Sequence, residues 1–241
     1  MVGIRTYLLV VLGTLSVLPT IVLGTIETSR ASASERRRAD REGTARATEV
    51  ANELDTFIAT QTTTIELLAS DVEAVREVDE RLVPALLARQ RAHAPQLAIV
   101  LVADRDGISR YVDPPRDADG SPNAGTSYRD RAYYRELLAT GKTVISGVEL
   151  GKRSKLPNVH IAAPIRAHGE LAGLLVGSVN FDRISQVAEH ASAGDNGRVI
   201  VLDGGNHVLA DSNGRLAVLT DVSGLDMFAS SGPAIGTTRD E

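Results

Sequence analysis

Between Thr126 and Asp182 a turn, a short helix and three extended runs follow one another without a gap, and this succession narrows the choice of fold more than any other part of the chain. Asp130 stands where an N-cap belongs. Ala132, Tyr133, Leu137 and Leu138 then recur at helical spacing until Gly141, a residue suited to the left-handed position just past a helix end. Beyond it, Thr143 to Leu150, Asn158 to Ala167 and Leu171 to Phe181 are rich in Val and Ile, and clusters of Gly, Lys and Pro separate them. His168-Gly169 makes a tight turn between the last two. The stretch predicts an antiparallel meander with a helix against one face, an α+β arrangement.

Upstream, Tyr7 to Ile26 carries no charge and spans the roughly 20 residues that a helix needs to cross a hydrocarbon core. Thr14, Ser16 and Thr20 can return hydroxyls to the helix backbone, so Pro19 is tolerable there. A cleaved signal peptide is the rival, with Arg5 as the positive start and Ala31-Ser32-Ala33 as the cleavage site, but the apolar run exceeds the usual stretch of roughly 7 to 15 residues. The expectation is an uncleaved anchor over residues 1–28, a single transmembrane helix. Arg30, Arg36, Arg37, Arg38 and Arg41 on its far side outnumber Arg5, which by the positive-inside rule points to the opposite orientation.

From Ser34 to Arg91 the pattern is helical: Val50, Leu54, Phe57, Ile58, Ile65, Leu68 and Val72 recur at spacings of three and four, and neither Gly nor Pro falls between Thr44 and Val83. Residues 29–94 are therefore expected to form a long stalk helix and a second helix from near Glu80, with Pro84 in its first turn and Pro95 at its exit. Leu97 to Ala103 and Ile108 to Val112 are strands joined by Asp104-Arg105-Asp106-Gly107, a hairpin signal. Asp104 and Asp106 open like a calcium loop, but its downstream ligands are missing, so a turn is expected. Asp113 to Ser127 is an aperiodic loop of the kind that often serves as a binding lid. After Phe181, Arg183 to Ala193 reads as a helix ended by Gly194, a strand runs from Gly197, and Arg198 to Ala210 repeats the hairpin of Leu97 to Val112, an internal repeat of two units.

The order Asp130-Arg131-Ala132-Tyr133-Tyr134, then Gly141 to Gly147 (GKTVISG), Ala162 to Arg166 (AAPIR) and Gly173 to Asp182 (GLLVGSVNFD), resembles the membrane-distal module of double Cache, PAS-like sensor domains. These are the extracytoplasmic input domains of bacterial chemoreceptors, sensor histidine kinases and diguanylate cyclases. The resemblance implies a PAS-like antiparallel sheet module over residues 95–182 and a partial second module over 183–241, where Asp221 to Leu225 and Met227-Phe228 carry further family features. It implies a periplasmic sensor on the inner membrane, the bulk of the chain outside, and a homodimer through the long N-terminal helix. A complete second module and a receptor's output domain would need more chain, so a fragment is expected.

In amino-acid-binding members of that family an Arg-x-aromatic-aromatic motif holds the ligand carboxylate, and Arg131-Ala132-Tyr133-Tyr134 resembles it. The family's partners for the ammonium, an upstream Tyr and an Asp on the last strand, fall near Thr126 and Ser178. The resemblance therefore implies a carboxylate or other small organic anion in preference to an α-amino acid. The chemistry of the residues agrees: a guanidinium offers a rigid fork to a carboxylate, and tyrosines wall an organic ligand while donating hydrogen bonds. Tyr111, Ser146, Ser178 and Asn180 complete the candidate set, Ser178 and Asn180 sharing a strand face with Val176.

Other classes find little support. The net charge of -5 argues against a nucleic-acid surface, and zero cysteines exclude disulfides and thiolate metal sites. His160 and His168 lack partners at metal-ligand spacing, and Lys152, Arg153 and Lys155 read as a solvated loop tip. With no Gly-rich phosphate loop, no Gly-x-Ser-x-Gly elbow and no paired-His motif, neither catalysis nor a cofactor is expected. The rival to a signalling sensor is a secreted or membrane-anchored binding or structural module without output.

Overall fold

Five antiparallel strands build the main sheet: β1 (Leu97–Asp104), β2 (Ser109–Asp113), β3 (Val144–Leu150), β4 (Pro157–Ala167) and β5 (Glu170–Val179), in the order β2-β1-β5-β4-β3. In this computed structural model residues 4–180, 182–192 and 198–225 are described, with side chains from Arg41 onward, Arg183 excepted. The last strand returns to the centre, pairing Val102 with Leu175 on one side and Ala162 with Val176 on the other. β4 turns into β5 through His168 and Gly169, whose φ values of 52° and 82° are those of a two-residue turn matched to the strand twist.

Because side chains alternate along a strand, the apolar runs of β1, β4 and β5 bury both faces of the sheet. On one face Val100, Val102, Ile161, Ile165 and Leu175 pack with Ile65, Leu68 and Val72 of α1 (Ile4–Asp79) and with Val83 and Leu87 of α2 (Val83–His93). On the other, Leu101, Ala103, Leu174 and Val176 pack with Tyr133, Tyr134 and Leu137 of α3 (Ala132–Thr140). The helix expected against one face is α3, and α1 with α2 cover the other, since central strands this apolar cannot leave either side to water. α1 lies so close to β5 that a Cβ on Gly177 would sit 2.3 Å from Ile65 Cδ1.

α1 ends where Asp79 accepts a hydrogen bond from the Arg81 N–H and a short 3-10 turn, Glu80–Leu82, leads into α2, with Pro84 in its first turn. The chain divides after Ala47, and the compact unit that begins at Thr48 carries the strands of the described residues. Among the described residues no helix is long and apolar enough to cross a membrane. The side chains of Tyr7 to Ile26 and of Ala31-Ser32-Ala33 lie outside those described, as do Phe181, Gly194, Gly197 and Met227-Phe228.

The hairpin repeat is visible at atomic level. In the first copy Asp104 Oδ1 accepts from the N–H groups of Asp106 and Ile108; in the second, Asp203 Oδ1 accepts from those of Gly205 and His207. Gly107 and Asn206 hold the left-handed position of each turn, with φ of 73° and 61°. The second hairpin, β6 (Ile200–Leu202) with β7 (Val208–Asp211), packs with α4 (Asp182–Ser192) through Ile184, Ala188 and Ala210. It meets the main sheet where Asp203 Oδ2 accepts the Val148 N–H at 3.2 Å.

Candidate functional site

α3 begins one residue later than the expected cap. Arg131 takes the N-cap place in an extended conformation without a side-chain cap bond, while Asp130 forms an ion pair with Lys152. The lysine competes for the carboxylate that a helix start would otherwise use. The helix closes as expected on Gly141, with φ of 62° and its N–H bonded to Leu137 O at 2.7 Å. Arg131 Nη1 lies 2.5 Å from Glu149 Oε2 and Nη2 donates to Leu150 O at 2.7 Å, so its guanidinium fastens the start of α3 to the end of β3.

One turn of helix places Tyr133 inward, 1% exposed, with its ring 5.3 Å from that of His160 on β4. His160 faces Ser178 of β5 in register, and His160 Nδ1 and Ser178 Oγ share a hydrogen bond of 2.9 Å. Burial, with a smaller contribution from the Arg131 guanidinium, lowers the His160 pKa to about 4, so the imidazole is neutral at pH 7. Burial likewise pushes the Tyr133 phenol far above its ordinary value and keeps its proton in place. Its hydroxyl nevertheless has no hydrogen-bond partner, and Asn123 Oδ1 and Arg131 Nε are the other such buried atoms among the described residues.

These side chains surround a cavity of about 20 Å³, the space of roughly one water-sized sphere. Ile99, Leu101, Val112 and Val176 give it an apolar wall; Asn123, Tyr128, Tyr133, Asn158, His160 and Ser178 give it a polar one. The turn after β3 covers it with Lys152 and Arg153. Lys152 Nζ stands 5.8 Å from the centre of the Tyr128 ring. Arg153 donates to Pro122 O at 2.8 Å and to Thr126 Oγ1 at 3.3 Å, which ties this turn to the 113–127 loop. Both arginine contacts are to neutral oxygens. No carboxylate lines the cavity among the described residues, and none of them forms a close group of three metal-ligating side chains.

Of the residues singled out from sequence, Tyr133 and Ser178 face this cavity. Arg131 stands beside it, engaged by Glu149. Four others are placed elsewhere. Tyr134 is buried, but its hydroxyl donates to Arg105 O at 2.9 Å and its ring supports Gly107 of the first hairpin turn. Tyr111 packs with the α1 and α2 cluster on the opposite face of the sheet. Ser146 Oγ donates to Gly147 O and accepts from the His160 N–H, holding an irregularity in β3. Asn180 lies past the end of β5, where its side chain bonds Asp182 at the start of α4. Lys152 is half-buried and Arg153 exposed, and both line the cavity, whereas Lys155 is exposed and does not line it. His160, Tyr128, Asn123 and Asn158 also belong to the site; polar residues within the apolar run of β4 were the available signal for His160 and Asn158.

A five-stranded antiparallel sheet with its central strand last, helices on both faces and a small polar cavity under one edge turn defines an α+β domain. The chain belongs to the Cache domain family, whose double-Cache model matches residues 29–234. Its fold is similar to that of an extracellular ligand binding receptor from Desulfohalobium retbaense, with a TM-score of 0.64 at 13% identity over 73% of this chain and 32% of that one. It is also similar to the ligand-binding domain of the Pseudomonas fluorescens chemoreceptor CtaA in complex with L-isoleucine, with a TM-score of 0.57 at 17% identity over 72% of this chain and 68% of that one. The ligand-binding domain of the Campylobacter jejuni chemoreceptor Tlp3 in complex with 4-methylisoleucine gives 0.57 at 15% identity, over 72% and 69%. The chain spans about a third of the first of these and about two thirds of the other two. No curated protein sequence matches it.

Proposed function

We propose that the chain is the extracytoplasmic input domain of a bacterial transmembrane signalling receptor and that it senses a small organic anion in the cavity beneath the β3–β4 turn. In this reading residues 1–28 anchor the chain in the inner membrane, with Tyr7 to Ile26 as the span and the bulk periplasmic. Residues 29–94 form the stalk and the contact between two copies. Residues 95–182 are the membrane-distal sensing module and 183–241 belong to the membrane-proximal one. Membership of the Cache family and likeness to two chemoreceptor ligand-binding domains support the sensory role.

The observation that carries the choice of an anion is the charge around the cavity. Lys152 and Arg153 cover it, Arg131 adds a third cation beside it, and no carboxylate lines it among the described residues. Asp130 and Glu149 pair with Lys152 and Arg131, while Arg153 has no carboxylate partner among the described residues, which makes it the first cation open to a ligand. At about 20 Å³ the cavity has room for little more than one water-sized sphere, so binding an organic acid requires the Gly151 to Lys155 turn to lift, which gives the bound state its own arrangement of β3.

The test is a thermal-shift panel of small carboxylates, amines and sugars on the purified full chain. A ligand at one hundred times its dissociation constant contributes about 2.7 kcal/mol, a rise of about 5–11 °C for a domain of this size. Arg153 is exposed, so Arg153→Ala leaves the unliganded melting temperature nearly unchanged and abolishes the carboxylate shift. Stabilisation by amines or sugars alone, or an undiminished carboxylate shift in the Arg153→Ala protein, refutes the anion site.

A further inference from the structure

Two residues that line the cavity each carry a buried polar atom without a partner, and these go further than charge, because they specify what must stand next to the carboxylate. Asn123 is 3% exposed, its Nδ2 donates to Pro114 O at 2.9 Å, and this bond leaves Oδ1 as the atom without a partner. An amide oxygen only accepts, so its missing partner is a donor. Tyr133 is 1% exposed, and its unpartnered hydroxyl both donates and accepts. A polar group buried in this way costs free energy until something bonds it, so the two atoms favour whichever ligand satisfies them.

We infer that the ligand is a small 2-hydroxycarboxylate, with its carboxylate on Arg153 under the β3–β4 turn and its hydroxyl accepting from Tyr133 and donating to Asn123 Oδ1. The inference rests on the reading of the cavity as an anion site. Three related chemistries fit less well. An alkanoate leaves both atoms unpartnered. A 2-oxocarboxylate accepts from Tyr133 but has no hydrogen for Asn123. A 2-ammonio group has the hydrogens, yet it would be desolvated beside Arg131, Lys152 and Arg153 with no carboxylate on the cavity wall to balance it. The neutral pair of His160 and Ser178 accommodates a hydroxyl without adding charge.

The experiment is calorimetric titration of the full chain with matched acids of two sizes: L-lactate, pyruvate, propionate and L-alanine, then L-malate, oxaloacetate, succinate and L-aspartate. Within the preferred size the hydroxy acid binds about 2- to 12-fold tighter than the oxo acid, the worth of one net hydrogen bond, and about 5- to 150-fold tighter than the unsubstituted acid, the worth of two, and the amino acid binds weakest. Asn123→Leu removes the advantage of the hydroxy acid over the oxo acid and leaves part of its advantage over the unsubstituted acid. Ser178→Asp places a carboxylate at the cavity floor and reverses the order, so that the amino acid overtakes the hydroxy acid. An amino acid that equals or exceeds its hydroxy analogue in the unaltered chain overturns the inference and leaves the anion site standing. Equal binding of hydroxy and unsubstituted acids overturns it in the same way, whereas binding of none of the eight overturns both.

Discussion

Tyr133→Phe separates a ligand-binding hydroxyl from a structural one, because the two roles move stability in opposite directions. The Tyr133 side chain is 1% exposed and its hydroxyl has no partner, while the ring packs with the α3 face of the sheet and against His160. Removing the oxygen leaves the ring contacts in place and relieves a buried unsatisfied group worth about 1–3 kcal/mol, less the small void created. A net gain of about 1 kcal/mol raises the melting temperature by about 2–4 °C in a domain of this size. The same change removes one hydrogen bond to the ligand and weakens binding about 2- to 12-fold. Differential scanning calorimetry reads the first effect and titration with the best-binding acid reads the second. A Phe variant that melts below the unaltered protein and binds equally well refutes the reasoning, since its hydroxyl would then hold the fold and not the ligand.

Three further outcomes follow from the same structure. The histidine imidazole has an ordinary pKa of about 6.5, and at His160 burial lowers it to about 4. The unfolded chain therefore binds the extra proton first as pH falls. Stability is fully present above about pH 6.5 and declines by about 3 kcal/mol by pH 4, at about 1.36 kcal/mol per pH unit; His160→Gln flattens that decline in urea titrations run across the window, and an unchanged slope counts against a buried neutral imidazole. Gly177→Ala pushes a methyl to within 2.3 Å of Ile65 Cδ1, which costs about 1–3 kcal/mol and about 2–12 °C. Adding Ile65→Val removes that terminal methyl and recovers part of the loss, and a double variant no better than the sum of the two singles shows that the contact is not the cause. Glu149→Gln removes the internal carboxylate from Arg131 and raises the affinity for small carboxylates about 3- to 10-fold in titration; weaker binding shows that Glu149 organises the site and does not compete for it.

How far the chain can be read from its sequence depends on the range over which each feature is determined. The Gly141 helix end, the His168-Gly169 turn and the twice-written Asp turn at Asp104 and Asp203 are set by residues within four positions of one another, and each stands where local rules place it. The choice of face is less legible. β1 is apolar on both sides, so it does not show from sequence which face its neighbour's Tyr111 joins, and only the register that sets Tyr111 opposite Val102 places it with α1 and α2. Tyr133 and Tyr134 show the same limit on a helix: about 100° apart, one reaches the cavity while the other supports the hairpin turn at Gly107, and both look alike in the motif.

The electrostatics of the site lie furthest beyond local reading. Arg131 meets Glu149 across 18 positions and Lys152 meets Asp130 across 22, pairs that exist only because the β3–β4 turn folds back over the start of α3. That fold-back turns two residues of a solvated-looking tip into the cover of a cavity, and it gives three cations two internal carboxylates. The imbalance leaves Arg153 bound only to neutral oxygens, beside a floor where Ser178 and His160 carry no charge. A carboxylate ligand completes that balance without placing a new charge on the floor, whereas a cationic group on the ligand would need a counter-charge that the cavity wall does not supply. Under the proposed reading, ligand sign is a property of the turn as much as of the arginine motif. Exchanging Lys152 and Arg153 for neutral residues should alter what the domain senses more than any substitution at Tyr134 or Asn180, whose side chains are committed to the hairpin turn and to the start of α4.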